Sequence, residues 1–201
     1  MPPLDNDART ALLRLARLAI SRAVGADFHA NPQSPIFNPQ SPIPSPQSLV
    51  QGYARAGAFV TLRIGGDLRG CIGYPHAELP LVEVVQRCAV SAAIADPRFP
   101  ALQAAEFGDV SLEISVLGPL EPVGDISEVT AGRHGLVVEH EGRRGLLLPQ
   151  VATEWAWDAE EFASQTCVKA GLPRDAWRNG AQLYKFEAEV FGESPDDTTK
   201  T

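Results

Sequence analysis

The stretch from Ala58 to Tyr74, AFVTLRIGGDLRGCIGY, constrains the chain most. Two apolar, β-branched runs, 58–64 and 68–74, flank Gly65-Gly66-Asp67. Glycines between such runs turn a chain back on itself as a hairpin. The second run has two glycines inside it, Gly70 and Gly73. Interior glycines weaken a strand and mark a bulge or a place where another group approaches the backbone closely. Regular alternation puts Leu68, Ile72 and Tyr74 on one face and Arg69 and Cys71 on the other. A guanidinium and a thiol then share a side, beside backbone bared by Gly70 and Gly73.

That juxtaposition makes Cys71 the candidate catalytic residue, because a nearby cation favours the thiolate. Thiol chemistry also needs a base. Of the four histidines, only His76 follows the strand closely. Asp96 and Glu113 are candidate acid/base groups. Each has a plainer reading: Cys71 as a structural strand cysteine, Asp96 as a helix terminator, Glu113 as a solvated strand residue. Cys71, Cys88 and Cys167 have no CxxC spacing and are read as reduced thiols. There is no HExxH, no three-cysteine cluster motif and no phosphate loop, so no metal or cofactor is expected. A net charge of −8 disfavours nucleic acid as a partner. No apolar run is long enough for a membrane span, and the first residues lack a signal-peptide pattern, so the expected location is the cytoplasm.

The rest of the chain supplies one core's worth of elements. Leu12, Leu13, Ala16, Ile20 and Val24 recur at helical spacing over 7–24, with Arg9, Arg14, Arg17 and Arg22 read as a solvated face. Leu79-Pro80 opens a helix to about Ala95, with Leu81, Val85, Cys88 and Ala92 as its apolar stripe. The run 110–117 alternates as a strand. Residues 135–138 and 145–148 form a second hairpin, which Pro149-Gln150 breaks. Asp158 caps a helix over 159–170 in a capping-box pattern with Glu161. Residues 184–191 close as a strand, and the tail 194–201 reads as disordered. Between the first helix and the first hairpin lies NPQSPIFNPQSPIPSPQS, in which Pro-Gln-Ser recurs at 32, 39 and 46. Proline denies this stretch backbone donors and favours extended chain, so 30–48 reads as a flexible insertion.

The chain resembles the AMMECR-type domain family, also called the AmmeMemoRadiSam system protein A family. The resemblance lies in FVTLRIGGDLRGCIG, AAIADPRFPAL, VSLEISVLGPLEPV, GLLLPQVATEWAWDAEEF and KAGLP. It implies one α+β domain with a mainly antiparallel sheet, flanking helices and two unequal lobes. The larger lobe takes about 1–119 and 181–193, with both termini, and the smaller about 120–180. It also implies a cleft between the lobes beside the RGCIG backbone, so Arg69, Gly70, Cys71, Ile72, Gly73 and Glu113 are the candidate ligand-binding residues. Tyr74 stands where the family commonly has a small or hydroxylated residue. The family's name records an association, in gene neighbourhoods or fusions, with Memo-type proteins and radical SAM enzymes. Those are the expected partners, and a shared pathway is not a reaction. Three functions stay open: an accessory or ligand-binding component, a thiol-dependent enzyme using Cys71, and a purely structural interaction module.

Six prolines in residues 31–47 cannot join a sheet or helix. Deleting that stretch is expected to leave the melting temperature nearly unchanged. A fall of several degrees in a thermal melt would make it a structural part of the fold.

Overall fold

The computed structural model describes residues 3–27, 56–75 and 79–193. The Pro-Gln-Ser segment, His29, His76 and the tail from residue 194 lie outside the described residues. The fold is α+β, with antiparallel strands and helices, and the chain divides into two compact units. One takes residues 1–116 and 189–201, the other 117–188.

In the first unit, α1 (Asn6–Val24) starts where the Asp5 carboxylate accepts from Ala8 N at 2.7 Å. It stops at Gly25, whose φ of 68° suits glycine. Strands β1 (Ala58–Ile64) and β2 (Asp67–Tyr74) form the expected hairpin. Helix α2 (Leu81–Ile94) and strand β3 (Val110–Leu117) follow. The sheet runs β2–β1–β3, with β2 at an edge. Val60 and Leu62 of β1 and Val110, Leu112, Ile114 and Val116 of β3 are buried. They pack with Leu12, Ala16 and Ile20 of α1 and with Leu81, Val85, Cys88 and Ala92 of α2. One apolar stripe per helix meets one apolar sheet face, the arrangement that the two periodicities require.

The second unit contains β4 (Glu121–Pro122), β5 (His134–His140), β6 (Arg143–Leu147), α3 (Pro149–Glu154), α4 (Ala159–Lys169) and most of β7 (Gln182–Gly192). β5 pairs antiparallel with both β6 and β7, and β4 pairs with β7. Phe162, Ala163 and Cys167 of α4 pack with Leu136, Val138 and Leu183. Pro149 does not simply break the hairpin, as its sequence suggests: it stands at the start of the short helix α3, where its missing N–H costs nothing. Asp158 caps α4 through Glu161 N at 2.8 Å. The Glu161 carboxylate, however, holds Gln165 and Arg174 instead of reaching back.

The arginines of α1 are not all a solvated face. Arg17 is 1 % exposed and is ion-paired through Nη2 with Glu193, whose Oε1 accepts from Arg17 Nε at 2.6 Å. Arg17 Nη2 also donates to Val110 O at 2.6 Å, and its guanidinium lies 5.1 Å from the centre of the Phe107 ring. Glu193 accepts in addition from Leu112 N at 3.1 Å, and its own N–H donates to Leu112 O at 3.0 Å. Glu193, at the end of the described chain, is therefore buried, and it extends the sheet beside β3. Arg9 pairs likewise with Glu189 at 2.7 Å.

Removing one partner of a buried pair strands the other charge. Arg17→Ala is expected to cost about 3–5 kcal/mol in denaturant titration. The double replacement Arg17→Met with Glu193→Leu should recover most of that loss, because neither charge is then left alone.

Candidate functional site

The site is built on a strand that is not regular. Cα pairing joins Leu62 to Gly70 and Arg63 to Leu68, so Arg69 is the extra residue of a β-bulge. A bulge re-aims its side chain. Arg69 therefore departs from the alternation that would hold it beside Cys71. Its Nε and Nη2 donate to Glu106 Oε1 and Oε2 at 3.0 and 3.1 Å, and its Nη1 to Pro100 O at 2.9 Å. Glu106 is its carboxylate partner. Glu106 sits in a 3-10 turn (Ala104–Asp109) and also accepts from Gln103 N at 2.8 Å. Arg69 beside it holds its pKa below the ordinary glutamate value.

The guanidinium that reaches Cys71 belongs to Arg98. Arg98 Nη2 donates to Cys71 O at 3.0 Å, and Cys71 N donates to Asp96 Oδ2 at 2.9 Å. Asp96 and Arg98 are themselves paired at 2.7 Å. Asp96 also accepts from Arg98 N at 3.1 Å. Its side chain is 2 % exposed, and its carboxyl is held far below the ordinary aspartate range, first by the Arg98 hydrogen bond and then by the backbone donors. Asp96 thus does more than end α2. Together with Arg98 it takes the N–H and C=O that Cys71 turns outward from the edge strand.

The two glycines have separate reasons. A Cβ on Gly70 would stand 2.2 Å from Ala92 O, in the last turn of α2, so any side chain would push β2 off the helix. A Cβ on Gly73 would meet the Phe59 ring at 2.2 Å. Phe59 is its cross-strand partner and lies over the bare backbone. Gly70 faces α2, and Ile72, two residues on, packs against the same core. They line the helix side of the strand, opposite the thiol.

The thiol has different company from that expected. Thr61 Oγ1 donates to Cys71 Sγ at 3.3 Å. Thr61 pairs with Cys71 on one side and with Glu113 on the other. A thiol, a hydroxyl and a carboxylate therefore form one row across β2, β1 and β3, on the face turned away from the helices. Directly opposed residues stand about 5 Å apart at Cβ. Cys71 is partly exposed, and so is Glu113. Cys88 is buried, and burial pushes its thiol up to about 11. Tyr74 is 43 % exposed at the end of the strand. Thr61, Arg98 and Glu106 are the site residues that sequence reading missed. Thr61 was legible in the alternation of β1, once the hairpin register was known. Among the described residues no group of three or more His, Cys, Asp or Glu is placed to hold a metal ion, and no helix is long and apolar enough to cross a membrane.

A family model described as AMMECR1 matches residues 13–191. A protein of Methanothermobacter thermautotrophicus is 43 % identical over 198 residues, covering 95 % of this chain and 97 % of its own. One from Pyrococcus furiosus is 45 % identical over 152 residues, covering 70 % and 72 %. The crystal structure of an uncharacterized protein from Pyrococcus horikoshii is similar, with a TM-score of 0.77 and 37 % identity, over 94 % of this chain and 93 % of that one.

Asp96→Asn removes the charge that holds Arg98 and the Cys71 amide. It is expected to cost about 2 kcal/mol at pH 7, the scale of a buried hydrogen bond to a charged group. The folded-state pKa of Asp96 lies below the free value of 3.8. The stabilisation is therefore complete above that pH and is lost as pH falls through the folded-state value. Wild type and variant should differ in urea midpoint at pH 7 and converge only in strong acid. Equal midpoints at pH 7 would make the Asp96 contacts incidental.

Proposed function

The chain belongs to the AMMECR1 family, and from that premise we propose that it is an accessory, ligand-binding component acting with a Memo-type protein and a radical SAM enzyme. The observation that carries the binding role is the row Cys71–Thr61–Glu113, which sets three kinds of polar group on a backbone fixed by Asp96 and Arg98. A binding surface needs its donors and acceptors held in place before the ligand arrives. In this row the sheet supplies the spacing, and the edge clamp supplies the rigidity. The partners come from the family resemblance. Arg69 contributes by anchoring the strand, because its guanidinium is already engaged by Glu106 and Pro100 O. Gly70 and Ile72 act from the helix side in the same supporting way, and Gly73 by seating Phe59.

The Thr61 hydroxyl on the Cys71 sulfur favours a second reading, a thiol-dependent enzyme. A donor aimed at sulfur stabilises a thiolate, and Glu113 lies in the same row to move a proton.

Co-purification of the tagged chain with the two partner proteins is expected to succeed. Cys71→Ser and Glu113→Gln should weaken it, or the retention of any small molecule found by mass spectrometry, without lowering the melting temperature. Iodoacetamide at neutral pH should label Cys71 well ahead of Cys88. Unchanged association and retention in both variants would remove the binding role. Equally slow labelling of the two thiols would remove the enzymatic one.

A further inference from the structure

The second unit holds an arginine with two shielded donors that have no acceptor among the described residues. Gly145 of β6 faces α4: a Cβ there would stand 2.6 Å from Ala170 N and 2.7 Å from Thr166 O. Its neighbour Arg144 therefore faces away from that helix, opposite Glu139 of β5, which in turn pairs with Gln182 of β7. Arg144, Glu139 and Gln182 form one row across three strands. Arg144 Nη1 meets Glu139 Oε1 at 2.7 Å. Its Nε and Nη2 are shielded from solvent, and among the described residues nothing accepts from either.

Nε and Nη2 are the two parallel donors on one edge of a guanidinium, the edge that grips a planar oxyanion with two hydrogen bonds. A purely structural arginine of this kind usually spends that edge on a protein carboxylate, as Arg69 does with Glu106. Here the carboxylate takes the other nitrogen, and burial draws the Arg144 pKa below its ordinary value. The side chain as a whole is 29 % exposed. It lines a concavity of about 560 Å³ together with Glu139, His140, Glu141, Arg143 and Gln182. Gln182 adds to it: its Oε1 accepts from Tyr184 OH at 2.7 Å, which leaves the amide NH2 as the donor.

We propose that Arg144 and Gln182 form a binding site for a carboxylate-bearing small molecule on the β6–β5–β7 face, gripped by the Nε/Nη2 edge of Arg144 and by the Gln182 amide. Charge selects the class. Glu139 and Glu141 are both acidic, and Arg143 Nη1 is directed to Gly171 O at 2.9 Å. A doubly charged phosphate would meet both carboxylates, and Arg143 already spends a donor on the protein. A singly charged, planar carboxylate matches that edge in shape and in charge. The site is separate from the Cys71 row and does not rest on it.

The test uses the full chain and acetate as the probe. The Nε–H resonance of Arg144, assigned by its loss in Arg144→Lys, is followed by NMR while acetate is added. It should move along a saturating curve, and sodium chloride at the same ionic strength should leave it in place. Gln182→Leu should weaken apparent acetate binding several-fold. Arg144→Lys keeps the charge without the fork, so it should abolish the matching shift of the Gln182 side-chain amide. Equal, unsaturating responses to acetate and chloride would overturn the site. A tighter response to inorganic phosphate would overturn the carboxylate assignment, and an undiminished amide shift in a folded Arg144→Lys protein would remove Arg144 from it.

Discussion

An edge strand presents a row of unpaired N–H and C=O groups, and β2 is the edge on which the candidate site stands. Left open, such an edge recruits other strands. The chain closes it with the segment that follows α2. Asp96 and Arg98 take the outward N–H and C=O of Cys71. Arg69, freed from the ladder by the bulge, ties the same strand to Glu106 and Pro100. Gly70 lets β2 approach Ala92 closely enough for this segment to reach it. The motif LRGCIG and the phrase ADPRFPAL therefore make one structural device. Each supplies the groups that satisfy the other.

The device is also economical in desolvated charge. Asp96 is buried, but its partner Arg98 keeps 54 % of its side chain exposed, so only one charge of the pair leaves water fully. Arg17 and Glu193 follow the costlier course, with side chains 1 % and 5 % exposed. Burying both members of a pair gains little unless the remaining donors and acceptors are met. Here they are met: Val110 O and the Phe107 ring serve Arg17, and Leu112 N serves Glu193. The pair joins the first helix to the last residues of the fold, and its value lies as much in fixing that register as in net stability.

Secondary structure was largely legible because most elements in the first unit, and α4 in the second, carry a period and a punctuation mark together. Val110 to Leu117 alternates without a break, and Asp158 stands three residues before Glu161 at the start of a helix. The short pieces, α3, β4 and the 3-10 turns, were not, since two to six residues hold at most two turns of a helical period. The departure of Arg69 from the expected face has one cause. A strand read as regular assigns Arg69 to the side of Cys71, and a bulge is invisible until the partner strand fixes the register. Arg17 was misread for a related reason. Its charge says surface, and only a glutamate 176 residues away says otherwise.

Their hydrogen-bond partners separate the arginines that build the molecule from one that does not. Arg17, Arg69 and Arg98 each donate from two or three nitrogens to carboxylates and carbonyls of the protein, so their positions are explained by what they hold. Arg144 is shielded from solvent at Nε and Nη2, and among the described residues neither nitrogen has an acceptor, while Nη1 meets Glu139. Buried donors without acceptors are rare in folded proteins because each forfeits its hydration. A structural role would call for an acceptor at the Nε/Nη2 edge of Arg144. Sequence pattern alone gives Arg143 and Arg144 the same standing at the tip of a hairpin. The sheet tells them apart: it sends Arg143 to a backbone carbonyl and leaves the fork of Arg144 for something outside the chain.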